Sequence, residues 1–112
     1  MTVQEIIEDL GLSVCCGEGN LTREVTGGYS GDLLSDVMAN SKTGNVWITM
    51  QIHVNIVAVA VLKEISAIIL VNGRQPAEET VRKAIEENLP ILQSQLPAFE
   101  IAGKLYFLGV VA

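Results

Sequence analysis

Apolar residues along this chain recur with two periods, and the alternation between them is the first thing the sequence shows. Val3, Ile6, Ile7 and Leu10 fall on one side of a 3.6-residue helix. Thr2 and Glu5 have capping-box spacing at its start, and Gly11 stands where it should stop. Leu12 to Cys16 is a short apolar run that reads as a buried strand, broken into a turn by Gly17 and Gly19. A second brief strand is predicted over Arg23 to Thr26. After Gly27, Gly28 and Gly31, Ser30 or Asp32 is placed to cap a helix with Leu33, Leu34, Val37 and Met38 at helical spacing. Asn40 to Asn45 is a polar turn, and Val46 to Met50 has the β-branched and aromatic content of a strand.

Ile56 to Leu62 is ambiguous by periodicity alone, since its valines favour a strand and its alanines and length permit a buried helix. A helix capped by Asn55 restores the alternation needed to cross between parallel strands, and is preferred for that reason. Ala67 to Val71 reads as a buried strand ended by Asn72 and Gly73. Pro76 then opens a helix with Val81, Ala84, Ile85 and Leu89 inward. Leu89 to Leu92 supplies another short strand, and Ala98 to about Leu108 a last helix with Ile101, Ala102 and Leu105 on one side, before Gly109 releases an apolar tail. Strands separated by helices in this rhythm predict right-handed βαβ units, an α/β fold, formed as one domain over residues 1–112.

Composition narrows the function. The chain has 112 residues, 49% of them hydrophobic and 18% charged, enough for one core and too rich in apolar residues for a disordered segment. Its apolar runs are far shorter than a membrane span, so a soluble protein is expected. The formal charge of −6 and the scattered basic residues argue against nucleic acid and anionic membranes as partners. The N-terminus has Glu5, Glu8 and Asp9 among its apolar residues, unlike a signal peptide, and a cytoplasmic location is expected. The only cysteines are the neighbours Cys15 and Cys16, which in a regular strand point to opposite faces, a poor arrangement for a disulfide.

Ligands of open α/β sheets gather beyond the carboxyl ends of the strands. The turns Gly17 to Asn20, Thr26 to Asp32, Gln51 to Asn55 and Asn72 to Gln75 are therefore the candidate loops. In the second, three glycines let backbone amides approach an anion while Thr26 and Ser30 add hydroxyls. Asp32 would repel a phosphate there and serves as well for a cap, and the spacing fits neither a Walker loop nor a dinucleotide fingerprint. Gln51, His53 and Asn55 alternate just after a strand and can converge on one ligand. The candidate ligand set is thus Thr26, Gly27, Gly28, Ser30 and Asp32 with Thr49, Gln51, His53 and Asn55. No acid pair, nucleophile with base, or metal-ligand spacing stands out, so neither catalysis nor a cofactor or metal is expected.

With these loops located, the sequence resembles the DRTGG domain, a module related to the N-terminal domain of HPr kinase/phosphorylase. The resemblance rests on Arg23-Glu24-Val25-Thr26-Gly27-Gly28, Gly31 to Met38, Val46-Trp47-Ile48-Thr49, His53 to Ala60, and Ala98 to Gly103. Thr22 stands before Arg23 where an acidic residue is expected. The resemblance implies a three-layer α/β/α sandwich with a mostly parallel sheet of about five strands, with Ile56 to Leu62 helical. It also implies a homodimeric regulatory role without catalytic residues of its own. The leading expectation is a non-catalytic module binding a small anionic ligand, an adenine nucleotide among them. The alternative is a protein-protein interaction module acting in trans on a partner enzyme or sensor, dimerising through Val57, Val59, Val61 and the Val110-Val111 tail. An enzyme using His53 as general base ranks last.

Overall fold

The computed structural model describes all 112 residues. Its elements run α1 (Val3–Leu10), β1 (Ser13–Cys16), β2 (Gly27–Ser30), α2 (Leu34–Asn40), β3 (Asn45–Thr49), α3 (Asn55–Leu62), β4 (Ala67–Leu70), α4 (Glu78–Glu86), β5 (Ile91–Gln93) and α5 (Ala98–Phe107), with a short 3-10 turn at Glu18–Asn20. The five strands form one sheet in the order β1-β5-β4-β3-β2. β2 to β5 are parallel to their neighbours and β1 joins antiparallel to β5. The fold is the expected mostly parallel α/β/α sandwich.

The layering follows from the strand order. From β2 to β5 each strand is added on the same side of the one before, so crossovers of one hand place α2, α3 and α4 on one face of the sheet. The other face needs a cover from outside that run, and α1 and α5 supply it. Two cores result. Val46, Ile48, Ala67, Ile69 and Leu92 face α1 and α5, where they meet Val3, Ile6, Ile101 and Leu105. Trp47, Ile68, Leu70 and Ile91 face the opposite way, against Val37, Ile56, Val57, Ala60 and Ala84. Alternation along β3 and β4 therefore feeds both cores, which is why these strands read as continuous apolar runs rather than as alternating ones.

The local signals for α1 hold in detail. Thr2 Oγ1 accepts from the Glu5 amide at 3.2 Å, the Glu5 carboxylate accepts from the Thr2 amide at 2.9 Å, and Gly11 closes the helix at φ 66°. The Thr2 amide and the Thr2 hydroxyl both donate to the Glu5 carboxylate and hold its pKa below the usual range. Ile56 to Leu62 is helical as preferred, with Ile56, Val57 and Ala60 buried and Val61 exposed.

Several expectations are corrected. The second strand is Gly27–Ser30, not Arg23 to Thr26; Glu24 makes only an isolated bridge to Thr2. The glycines thus lie in the sheet rather than in a loop. Neither Ser30 nor Asp32 caps α2, whose N-cap position is Leu33, 69% exposed. Val54, not Asn55, precedes α3. Ile85 is 61% exposed, because α4 lies on the sheet through the small residues Thr80 and Ala84, which leaves the bulkier side chain at the boundary. The fifth strand is Ile91–Gln93, since Leu89 and Pro90 still belong to the turn out of α4. The register of β1 slips between Val14 and Cys16, and both cysteines pack against the Trp47 core instead of facing apart. They are free thiols.

Candidate functional site

β2, β3, β4 and β5 are parallel, so the turns that follow them open on one rim of the sheet. Asp32 lies in the first turn and organises its junction with the second. Its Oδ1 accepts from the Thr49 hydroxyl at 2.7 Å and from the Met50 amide at 2.8 Å, and its carbonyl accepts from Gln51 Nε2 at 3.1 Å. Thr49 Oγ1 also accepts from the Gln51 amide at 3.2 Å. Buried Thr49 and exposed Asp32 and Gln51 therefore form one network across the β2 and β3 ends. Trp47 Nε1 donates to the Gly31 carbonyl at 2.9 Å, fixing the chain just before Asp32 from beneath.

The second turn is joined to the third. The Ala77 amide and the Thr80 hydroxyl both donate to the Ile52 carbonyl, at 3.2 and 2.7 Å. Beyond Ile52, His53 Nδ1 accepts from the Asn55 amide at 3.1 Å, so the neutral ring carries its proton on Nε2. His53 and Asn55 are exposed. In the third turn Arg74 is exposed, and its carbonyl accepts from Gln93 Nε2 at 2.8 Å. Arg74 is the one lysine or arginine carried by the turns that follow β2, β3, β4 and β5. An isolated arginine beside Gly73 forms no sequence motif, and its location becomes informative only once β4 lies next to β3.

The nine candidate residues divide between the two ends of the sheet. Asp32, Thr49, Gln51, His53 and Asn55 share the rim, and Ser30 ends β2 beside it. Thr26 and Gly27 sit at the other end, across a four-residue strand of about 13 Å. Thr26 is tied to the turn before β3, donating its hydroxyl to the Thr43 carbonyl at 2.7 Å and its amide to the Gly44 carbonyl at 3.0 Å. Gly28 donates its amide to the Val111 carbonyl at 3.1 Å, and Gly31 donates its own to Ile48 at 3.1 Å. A Cβ on Gly27 would lie 2.5 Å from the Val111 carbonyl oxygen. Gly27 makes room for the C-terminal segment along the sheet edge, and the amides of Gly28 and Gly31 are already bonded within the chain.

Tyr29, on β2 between those glycines and the rim, donates its hydroxyl to the Asp36 carboxylate. Partial burial, that bond, and the charges of Asp36 and Asp32 push its pKa up to about 12.

Elsewhere α5 carries the most exposed large apolar side chains of the surface. Phe99, Tyr106 and Phe107 of α5 are 89%, 61% and 93% exposed. Of the apolar surface expected at Val57, Val59, Val61 and the Val110-Val111 tail, Val57 and Val110 are buried, Val59 is half-buried, and Val61 and Val111 are exposed. The α5 face was legible in principle, because with Ile101 and Leu105 inward, Phe99, Gly103 and Phe107 must lie outward. No three His, Cys, Asp or Glu side chains gather in a metal-binding group. No helix is long and apolar enough to cross a membrane.

Fold and rim define a class, a three-layer α/β/α domain with polar turns gathered at the carboxyl ends of its parallel strands. The chain is similar in structure to the CBS and DRTGG domains of the regulatory region of Clostridium perfringens pyrophosphatase, solved in complex with its activator diadenosine tetraphosphate. The TM-score is 0.63 at 14% identity, over 99% of this chain and 50% of that one. The likeness is one of fold, and this chain spans half the length of that neighbour. No family model matches the chain, and no curated protein matches it.

Proposed function

We propose that this protein is a non-catalytic regulatory module of the DRTGG type that holds an adenine nucleotide on the rim above β2, β3 and β4. The convergence of Asp32, Thr49 and Gln51 with exposed His53 and Asn55 carries the reading. Carboxamides are suited to the donor and acceptor pair on the adenine edge, and Gln51 and Asn55 are the carboxamides nearest that junction. Arg74 supplies the positive charge for a phosphate. Ser30 is a further hydroxyl within the same neighbourhood. Thr26 and Gly28 act through folding, since their amide and hydroxyl groups are engaged, and Gly27 does so because the Val111 carbonyl leaves no room for a side chain there. The regulatory neighbour, with its dinucleotide activator, favours the same class of ligand.

Thermal-shift titration with AMP, ADP, ATP and diadenosine tetraphosphate tests this. A ligand at about a hundred times its Kd stabilises the folded state by about 2.7 kcal/mol, which raises the melting temperature by on the order of 10 °C in a domain of this size. Gln51→Ala and Arg74→Ala should lose that response while melting like the parent in its absence. A flat response to all four nucleotides sinks the reading.

A second reading, an interaction module acting on a partner protein, is favoured by the exposed aromatic face of α5. Such a module would keep its partner when Gln51 and Arg74 are replaced and lose it when Phe107 is.

A further inference from the structure

Between the end of α1 and the outer face of α5 runs an open groove of about 660 Å³, bordered by Asp9 and by Phe99, Glu100, Gly103, Lys104 and Phe107. Three observations on it converge. Phe99, Gly103 and Phe107 follow one another at four-residue intervals, the spacing of a single ridge along a helix. Both rings are almost wholly in water, at 89% and 93% exposure. Gly103 has no reason within its own chain, because a Cβ there would meet nothing within 4 Å and it lies mid-helix in ordinary helical conformation. Glycine at such a place weakens a helix, and what it offers in return is a backbone that another helix can approach closely.

We propose that the occupant of this groove is the α5 of a second copy, crossing antiparallel about a two-fold axis close to Gly103. This gives an interface to the homodimer that the sequence resemblance implies and goes beyond the nucleotide reading, which stands or falls separately. An interface of two identical patches must complement itself, and this one does. Under a two-fold axis near Gly103, Phe99 of each copy lies toward Phe107 of the other, while Glu100 of each lies toward Lys104 of the other. Neither charge is in an ion pair within its own chain; the two ion pairs present are Met1–Glu24 and Lys83–Glu86. The size is adequate too. Two nearly bare phenyl rings present on the order of 350 Å². With the helix surface between them, each subunit would bury on the order of 600 Å², near the lower end of specific interfaces. A reversible, concentration-dependent dimer is the result to expect.

The test is sedimentation velocity of the full chain from low micromolar up to about 500 µM, a range that captures a weak to moderate dimer. The wild type should shift from monomer to dimer across it. Phe107→Glu should weaken self-association by about tenfold or more with no change in melting temperature, since the ring has no packing to lose. Glu100→Lys and Lys104→Glu should each be monomeric alone, because each then sets like charges opposite one another. Mixed in equal amounts they should associate, and the double swap E100K/K104E should restore the homodimer. That pattern requires Glu100 of one copy to face Lys104 of the other, as the two-fold antiparallel contact places them. A wild type that stays monomeric throughout overturns the proposal, as does a dimer indifferent to Phe107→Glu or charge swaps that fail to rescue each other.

Discussion

Asp32 and Thr49 meet at 2.7 Å across the carboxyl ends of β2 and β3, and their bond joins the two turns of the rim. Its physical weight comes from asymmetry. Thr49 is 2% exposed, so its hydroxyl has little access to water if the carboxylate is removed, and the Met50 amide loses the same acceptor. Asp32→Ala should cost about 1–3 kcal/mol. Urea unfolding should show a lower midpoint with an unchanged slope. Asp32→Asn retains an oxygen acceptor and should cost less. Because it also removes a negative charge from the rim, Asn should tighten the binding of an anionic nucleotide while weakening the fold.

Gly27 and Gly28 separate a steric requirement from a mere composition bias. A Cβ on Gly27 would sit 2.5 Å from the Val111 carbonyl oxygen, whereas one on Gly28 would meet its nearest atoms at 3.7 Å or more. Gly27→Ala should therefore displace the C-terminal segment and cost about 1–3 kcal/mol. Gly28→Ala should be close to neutral, since alanine loses less backbone freedom on folding than glycine. Hydrogen exchange at the Gly28 amide, which is bonded to Val111, should quicken in Gly27→Ala well before global unfolding.

The Tyr29 hydroxyl gives the fold an alkaline limit. Its pKa is near 12 in the native state and near that of ordinary tyrosine when unfolded. A native pKa raised above the unfolded one favours the folded protein while the hydroxyl is protonated. The contribution is fully present below pH ~10 and is lost as pH rises from there through about 12. Absorbance titration at the tyrosinate band should show a late step that moves to lower pH in Asp36→Ala, which removes both the bond and the nearer charge.

Cys15 and Cys16 should be slow thiols. Burial pushes both pKa values up, for each as the largest effect, and the nearby Glu18 carboxylate adds to it. Since the thiolate is the reactive form, native protein at pH 8 should react with an aromatic disulfide reagent far more slowly than the urea-unfolded chain. Equal rates in the two states would contradict the packing of Cys16, which is 2% exposed against the Trp47 core.

How much of this was legible in the sequence depended on whether the signal was local. Periodicity and caps found α1, periodicity found α4, which starts at Glu78 and leaves Pro76 outside it, and the resemblance settled α3, whose apolar residues point most ways round. The strand at Gly27–Ser30 escaped, because two glycines and a serine have low strand propensity; they are a strand because β3 beside them offers a complete ladder and because the C-terminal segment passes close enough to exclude a side chain. Ile85 and Leu33 went astray for a related reason, as helical spacing identifies an apolar face without saying how far the sheet extends beneath it.

The sequence by itself determined the two periods, the turn positions and hence the alternation of strands and helices, since these follow from backbone sterics and from which residues must leave water. It could name polar residues beside glycines, but not the distances between them. Only the tertiary structure decided that Thr26 and Gly27 stand at one end of the sheet while Asp32, Thr49, Gln51, His53 and Asn55 stand at the other. The reason is geometric: a strand carries its two ends apart, and parallel neighbours bring together residues that are distant in the chain. The same is true of α5, whose inward face was readable from its own spacing and whose outward face became a surface only once the rest of the molecule left it uncovered.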